Sequence, residues 1–314
     1  YITAQSNWSR HAFNLRLAAD IARYQDYEDR DYEDYFLLIS GRVDVRNRSY
    51  MSYSLDYMNL HEDLNNRNAE QGIEPTRYDL YSGSLGYDHT FNRMSLGVRY
   101  TQRRLDFDDV IGFDGTVIDN QDRDRDEQLL SLRAVYQFQT DKQGFVSIES
   151  HSVDYDQPID RGDFARSSDG WKANAGLMFT VTGKLNGDVF ASYLERSYDD
   201  PALPNVDGWA AGAGLQWRAS ALTSVGFRVS SEIQETTYQY ASGYLRTLYA
   251  LRVNHELTRS LQFTGHVSYS DADYQLLPDA PEDARSRDQV YRAGLGLNYF
   301  INRNMFASLA YTYD

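Results

Sequence analysis

A two-residue alternation of apolar and polar side chains runs through this chain and restricts what it can fold into. Between residues 208 and 219, Trp209, Ala211, Ala213 and Leu215 share one parity, while mainly glycine, glutamine and arginine occupy the other. Successive side chains of a β-strand point to opposite faces of a sheet, so this period predicts strands with one apolar and one polar face. The 3.6-residue period of helical repeats is not found.

The same alternation predicts about sixteen strands. Most are long for a globular protein and suit a strand that crosses a membrane at a tilt. They are predicted at residues 1–6, 11–24, 34–46, 50–60, 78–90, 94–106, 127–139, 144–154, 169–181, 185–197, 208–219, 224–235, 244–255, 261–271, 289–300 and 305–314.

The connections between these strands alternate in length. Short turns are predicted at residues 7–10, 47–49, 91–93, 140–143, 182–184, 220–223, 256–260 and 301–304. Longer polar loops, most of them rich in Asp, separate them at residues 25–33, 61–77, 107–126, 155–168, 198–207, 236–243 and 272–288. Such sidedness predicts an all-β, transmembrane, antiparallel up-and-down β-barrel with turns in the periplasm and loops outside the cell.

The ends of the pattern lead to a further expectation. The first strand enters a short turn and the last strand leaves one, so a barrel with both termini in the periplasm needs one more strand at each end. The closing Tyr311–Asp314 also lacks the terminal aromatic residue common in outer-membrane strands. We therefore expect residues 1–314 to be a single barrel domain that lacks its outermost strands, with about 18 strands in the complete barrel.

Composition agrees with a membrane barrel. The chain has 26 Tyr, no Cys and only 6 Pro, and aromatic residues make up 14% of it. A barrel signal is weak in each strand and cumulative, which fits a mean hydropathy of -0.63 without a long apolar run. The net charge of -15 argues against a nucleic-acid partner, because such a partner requires a basic surface.

The polar parity carries many charges. An Arg or Lys facing lipid at the bilayer midplane costs about 2–4 kcal/mol, so these side chains are expected to line a water-filled lumen. The lumen-lining residues predicted on this basis are Arg16, Arg42, Arg99, Arg103, Arg133, Arg218, Arg228, Arg246, Arg252 and Arg292.

The balance of charge on this parity allows two interpretations. Arginines outnumber the acids recognised there, which are Asp20, Asp44, Asp56, Asp188 and Glu232. That excess favours a lumen that attracts anions. The alternative is a ladder of cross-strand Arg–Asp pairs that stiffens the wall.

Four tryptophans lie near the ends of predicted strands, where aromatic girdles meet the lipid headgroups. Trp171 and Trp209 lie near the loops, and Trp8 and Trp217 lie near the turns.

Two Asp-rich loop segments raise the question of metal binding. Carboxylates at residues 26–31 and 119–126 suit calcium or magnesium, but they lack the Gly and distal Glu of a calcium-binding loop. Solvated loops that contact lipopolysaccharide through divalent ions are the alternative, and we assign no metal site. No histidine has a partner at metal-ligand spacing, and phosphate and dinucleotide motifs are absent, so neither an enzyme nor a cofactor is predicted.

Several stretches resemble the family Putative beta-barrel porin type 2, outer-membrane barrels of proteobacteria. They are Ser6-Asn7-Trp8-Ser9-Arg10-His11-Ala12, Thr182-Gly183-Lys184-Leu185, Tyr198-Asp199-Asp200-Pro201-Ala202-Leu203, Glu235-Thr236-Thr237 with Ala241-Ser242-Gly243-Tyr244-Leu245, His255-Glu256-Leu257 and Asn302-Arg303-Asn304. The resemblance covers nearly the whole chain and departs at its ends, where family members carry further strands.

The resemblance implies a channel in the bacterial outer membrane, often one associated with exopolysaccharide secretion. Three functions stay open: export of an acidic exopolysaccharide, general or anion-preferring diffusion of small solutes, and anchoring of a surface structure. A diffusion porin is expected to fold a long loop into its bore, and residues 107–126 are the best candidate. The expected partners are the lipid bilayer, lipopolysaccharide, a polysaccharide or small anionic solute, and periplasmic export components.

Overall fold

A computed structural model describes residues 1–26, 30–62, 72–236, 238–302 and 305–313. Sixteen strands form one antiparallel sheet in which each strand pairs with its neighbours along the chain. They are β1 (Ile2–Gln5), β2 (Ala12–Ala22), β3 (Tyr32–Arg46), β4 (Ser49–His61), β5 (Arg77–Thr90), β6 (Met94–Phe107), β9 (Arg125–Gln139), β10 (Lys142–Tyr155), β11 (Ser168–Thr182), β12 (Leu185–Tyr198), β13 (Val206–Trp217), β14 (Thr223–Gln234), β15 (Ala241–Glu256), β16 (Leu261–Leu276), β17 (Arg287–Phe300) and β18 (Phe306–Tyr313). A separate hairpin, β7 (Val110–Ile111) and β8 (Val117–Ile118), lies between β6 and β9.

The all-β prediction and the sixteen antiparallel strands are confirmed. Within the described residues β1 and β18 do not pair with each other, so each forms an edge of the sheet. We call the side of the sheet with the short connections the turn end and the opposite side the loop end. None of the described residues forms a helix long and apolar enough to cross a membrane.

One face of the sheet is apolar across many strands because the strand register keeps the same parity aligned. Val98 lies opposite Leu132, and Leu132 lies opposite Ile148. On later strands Phe227 lies opposite Leu251. Leu132 and Ile148 are 48% and 50% exposed, although both are aliphatic. Soluble proteins rarely expose a continuous apolar surface of this extent, so this face fits contact with acyl chains.

The opposite face is polar and concave. A cavity of about 690 Å³ is lined by Asp56 of β4, Glu149 of β10 and Tyr244 of β15, together with residues of the strands between them. Strands so far apart in the sheet can share one cavity only if the sheet curves around it. The polar parity is therefore on the inside of the curve.

Buried apolar residues gather at the loop end of this curved sheet. One cluster joins Tyr198, Leu203, Val206 and Leu277. A second contains Tyr244 and Tyr274, whose rings stack with centroids 4.9 Å apart. Packing of this kind holds the loop-end connections against the strands.

The strand ends differ from the sequence prediction where this packing occurs. β15 begins at Ala241 rather than 244, and β16 ends at Leu276 rather than 271. The added residues include Ala241 and Tyr274, both buried, so tertiary contacts extend the strands into a predicted loop. The β7–β8 hairpin also lies in a segment predicted to be a loop.

The apolar face predicts a position-specific effect on stability. We expect Leu132→Arg to lower the free energy of unfolding by about 2–4 kcal/mol, because it places a cation against acyl chains. Ser131→Arg is the matched control, since Ser131 is the adjacent residue and lies on the polar face opposite Arg99 and Glu149. Denaturant unfolding in lipid vesicles measures both, and equal destabilisation by the two variants would contradict the assignment of faces.

Candidate functional site

Nine of the ten predicted lumen arginines lie within strands and on the polar face, and the tenth, Arg218, follows the end of β13. Arg133 is opposite Gly97 and Ser147. The other arginines within strands share this parity through the register, namely Arg16, Arg42, Arg99, Arg103, Arg228, Arg246, Arg252 and Arg292. Arg218 lies just beyond β13, and its backbone N–H donates to the carbonyl oxygen of Lys184 at 2.7 Å.

The acids of this face are more numerous than the sequence analysis recognised. Register places these further carboxylates on the polar parity: Asp34, Asp88, Glu127, Glu149, Glu256 and Asp288. Register also places Arg125 and Arg196 there, so the strands carry eleven arginines and eleven acids on this face, and the predicted excess of arginine is wrong for the face as a whole. Several of these acids lie near strand ends, where alternation alone does not separate a strand residue from a loop residue.

The arginines divide into two groups by their contacts. Some pair with a carboxylate on the same face: Arg42–Asp44 at 3.0 Å, Arg246–Glu232 at 3.6 Å and Arg103–Glu127 at 3.7 Å. Others have no carboxylate oxygen of a described residue within 4 Å; these are Arg16, Arg99, Arg133, Arg228 and Arg252. The cross-strand ladder thus accounts for part of the set only.

The arginines without a carboxylate make weaker contacts with the wall. The Arg99 guanidinium is 3.5 Å from the Ser52 hydroxyl. The Arg133 guanidinium carbon lies 4.2 Å from the centre of the Phe145 ring, and its Nη2 lies 3.5 Å from Met178 Sδ. Aromatic and thioether contacts orient a guanidinium without neutralising it. These cations are therefore available to an anionic ligand on the concave side.

A small side chain is required beside one aromatic residue of the same wall. The outer edge of the Phe190 ring lies over Gly212, where an added Cβ would come within 2.0 Å of Phe190 Cζ. Glycine at this position therefore leaves the space that the ring occupies beside β13.

A network of buried charged side chains lies at the loop end, and the sequence pattern does not reveal that these residues contact one another. Arg196 pairs with Glu235 and also contacts His151. Arg125 bonds Glu127 at 3.0 Å, and Glu127 lies 4.0 Å from His151. Register places Arg196 on the polar face, but its partners come from another strand and from the connection after β14.

Two connections lie across the loop end of the concave face, and we call them the outer cap: residues 108–124 and 156–167. Arg161 joins the two segments by donating to both carboxylate oxygens of Asp122, at 2.8 and 2.9 Å. Arg123 makes a bidentate pair with Glu62 at the end of β4, at 2.9 and 2.6 Å.

The outer cap also reaches the opposite wall. Arg166 pairs with Asp160 and donates to the backbone carbonyl oxygen of Ala241 at 3.3 Å. A cavity of about 370 Å³ under the cap is lined both by Tyr78 of β5 and by Tyr244 of β15. The loop predicted as a constriction therefore crosses the mouth together with the next long connection.

The two Asp-rich segments were considered as metal sites, and the structure describes the second of them completely and the first in part. Residues 27–29 of the first lie outside the described residues. In the second, Asp122 bonds Arg161, Asp124 accepts from the Phe107 backbone N–H at 2.6 Å, and Asp126 pairs with Arg104 at 3.1 Å. In the described part of the chain no three His, Asp or Glu residues are grouped to hold a metal ion.

The histidines link strands. His61 lies 2.8 Å from Asp34 and stacks on Tyr32 with centroids 3.8 Å apart. At the turn end, His89 lies 2.6 Å from the Ser49 hydroxyl and His255 lies 2.8 Å from the Thr223 hydroxyl. These contacts explain the side chains as cross-strand hydrogen-bond partners.

The tryptophans lie at strand ends or in turns. Trp171 and Trp209 are on the apolar face at the loop end and flank Tyr193, with ring centroids 5.4 and 5.3 Å away. Trp217 ends β13 at the turn end, opposite Leu185 and Val225. Trp8 lies in the turn before β2 and is 63% exposed. A membrane-girdle role stays a prediction for all four.

Two carboxylates of the outer cap, Asp122 and Asp156, have lowered pKa values. Burial opposes ionisation of Asp122, but hydrogen bonds and charge from Arg161 outweigh it, so the Asp122 pKa lies below its usual value. Hydrogen bonding from Arg104 holds the pKa of Asp156 below its usual value too. Their stabilising effect is complete above the ordinary carboxyl pKa of about 3.9 and is lost as pH falls through the lowered values.

The outer cap predicts local opening that depends on Arg161. We expect Arg161→Ala to weaken the cap by about 1 kcal/mol and to speed amide hydrogen exchange in residues 108–124 about fivefold. In the unsubstituted protein, protection is expected to persist down to about pH 4 and to fall at lower pH. Hydrogen-exchange mass spectrometry, corrected for intrinsic rates, measures both effects.

The control is Arg259→Ala, which removes an exposed arginine at the turn end and is expected to leave cap exchange unchanged. Equal exchange in the Arg161 variant and the unsubstituted protein would show that this ion pair does not hold the cap.

Comparisons with known proteins agree with the architecture. The siderophore receptor PirA from Pseudomonas aeruginosa superposes with a TM-score of 0.50 at 8% identity, covering 99% of this chain and 61% of that one. The closed form of the ferric-catecholate import receptor Fiu from E. coli K12 has a TM-score of 0.47 at 11% identity, covering 96% and 60%. This chain therefore spans about three fifths of those structures, and the likeness to PirA shows a shared fold alone.

No curated protein matches the sequence. The model of the family described as Putative beta-barrel porin 2 matches residues 1–314. That match covers the whole chain, and the exposed apolar face and polar concave face are those of a bacterial outer-membrane barrel. The chain belongs to the Putative beta-barrel porin 2 family, in the bacterial outer membrane.

Proposed function

We propose that this barrel is an outer-membrane channel that exports an acidic exopolysaccharide. The observation that carries the proposal is the set of concave-face arginines with no carboxylate of a described residue within 4 Å: Arg16, Arg99, Arg133, Arg228 and Arg252. A guanidinium binds carboxylate or phosphate oxygens well, and its fixed charge does not depend on pH. A chain of uronate or other acidic sugars meets these groups one after another.

Spacing of the arginines favours transport over tight binding. They are on separate strands and rest against neutral neighbours such as Ser52 and Phe145. Conduction requires contacts that attract a substrate but release it readily. Several solvated arginines, each worth a fraction of a kcal/mol to about 1 kcal/mol, satisfy that requirement.

A diffusion porin is the second candidate, and the outer cap favours it. Arg161 ties residues 108–124 to residues 156–167 across the mouth. A fixed crossing of this kind narrows a pore for small solutes, whereas an export channel requires the cap to move aside. The two functions therefore differ in whether a polymer blocks the pore.

Planar-bilayer recording of the full-length protein tests the proposal. We expect anion selectivity in a salt gradient and reversible block by alginate, a polymer of uronates. Arg99→Gln combined with Arg133→Gln is expected to lower anion selectivity and to weaken alginate block roughly tenfold, which corresponds to about 0.7 kcal/mol for each arginine.

Arg287→Gln is the matched control for loss of an arginine. Arg287 pairs with Asp271 at 2.7 Å at the loop end of the apolar face, so its loss is expected to change neither property. A conducting pore indifferent to alginate would overturn export and support the diffusion porin. Absence of any conductance would overturn both and support a barrel that anchors a surface structure.

A further inference from the structure

The balance of charge on the concave face differs between the two halves of the barrel. Each arginine without a carboxylate lies in the half of its strand nearer the turn end. Arg99 lies in the first half of β6, which runs away from a short turn, and Arg252 lies in the second half of β15, which runs toward one. Arg133 follows the same rule in β9.

The opposite sign predominates in the loop-end half. The cavity of about 690 Å³ is lined by Asp56 and Glu149, neither of which has a cationic atom of a described residue within 4 Å. Glu232, also on its wall, accepts a hydrogen bond from Gln234 Nε2 at 2.8 Å and lies 3.6 Å from Arg246. These carboxylates face the space through which a solute would pass.

The cations around this cavity are already engaged. Arg125 bonds Glu127 at 3.0 Å, and Arg196 pairs with Glu235. Lys172, which lies opposite Glu149, directs its ammonium group to the backbone carbonyl oxygen of Ser231 at 2.9 Å. Six carboxylates and four cations line the cavity, so its wall is net negative. In the turn-end half, the five arginines without a carboxylate outnumber the carboxylates without a described cation within 4 Å, which are Asp88, Asp188 and Glu256.

Two layers of opposite charge in a narrow, low-dielectric cleft create potentials that solvent does not fully screen. We propose that the bore is bipolar: its turn-end half attracts anionic groups, and Asp56 and Glu149 make the loop-end cavity a negative layer. An acidic chain that enters at the turn end is drawn in by the arginines and repelled by the carboxylates before it leaves.

This inference deepens the proposed export function and rests on the bore being its path. It makes Asp56 and Glu149 specificity-determining residues of the channel. Neither was singled out by the arginine pattern, since the relevant property is that a carboxylate lacks a partner in three dimensions.

Single cysteines allow the local potential to be measured directly, because the chain contains no Cys. Ser82 lines the cavity and lies opposite Asp56 on one side and Arg103 on the other, and Ser52 lies 3.5 Å from Arg99 Nη2. The full-length protein carrying Ser82→Cys or Ser52→Cys is treated with cationic and anionic methanethiosulfonate reagents. Each rate is divided by the rate of a neutral reagent, which removes differences in access and in thiol ionisation.

We expect Ser52→Cys to prefer the anionic reagent and Ser82→Cys to favour the cationic reagent relative to Ser52→Cys, because Glu127 lies 3.7 Å from Arg103 and offsets the charge of that arginine. A unit charge about 7 Å away through water-like dielectric changes the rate ratio of the two reagents roughly sevenfold. Adding Asp56→Asn and Glu149→Gln is expected to shift the preference at residue 82 toward the anionic reagent and to leave that at residue 52 unchanged. Asp207→Asn, which removes an exposed carboxylate from the apolar face at the same end, is expected to change neither.

Equal reagent preference at the two cysteines would overturn the bipolar bore, as would an unchanged preference at residue 82 after both carboxylates are removed. Failure of the neutral reagent to modify Ser82→Cys would also overturn it, because the cavity would then lie off the path. These results are independent of the polymer. If the two cysteines show the expected reagent preferences but alginate does not block conductance, only the export proposal is overturned. If alginate blocks conductance but the two cysteines show equal preferences, only the bipolar bore is overturned.

Discussion

Pairing of backbone groups in lipid is the constraint on which this structure depends. A bilayer core offers no water to an exposed N–H or C=O. The backbone groups of every spanning strand must therefore form hydrogen bonds with the strands on both sides. The sheet meets that demand with a register that runs strand by strand from β2 to β17 in chain order. Because register conserves parity, pairing the backbone also keeps Leu132 and its neighbours on one face and Arg133 on the other.

Separation of the two faces then governs the electrostatics. Charges excluded from lipid must share a concave surface, where they either pair or stay solvated. At the loop end, Arg196 and Glu235 pair in a buried network, and the outer cap adds Arg161 with Asp122. Deeper in the bore the arginines meet hydroxyl, aromatic and thioether groups instead. The same constraint thus produces a loop end crossed by ion-paired connections and, nearer the turn end, a solvated wall that carries charged side chains.

Much of the fold was predictable because its signal is local. Alternation located the sixteen strands of the sheet, and the lengths of the connections ordered them into a meander. The misses fall at the loop end, where β15 starts early and a β7–β8 hairpin forms in a predicted loop. Those features depend on packing between residues that are distant in sequence, such as the stack of Tyr244 on Tyr274. A local sequence pattern carries no information about such contacts.

The functional surface divides in the same way. Periodicity along the chain was sufficient to assign a side chain such as Arg99 or Arg228 to the polar face, because parity follows from backbone geometry alone. Whether an arginine meets a carboxylate depends on register and curvature, which bring together residues from separate strands. The apparent excess of arginine therefore disappeared once six further carboxylates, Glu149 and Asp88 among them, were placed on this face. The layering of charge along the bore and the crossing of its mouth by two connections arise only when the sheet has curved.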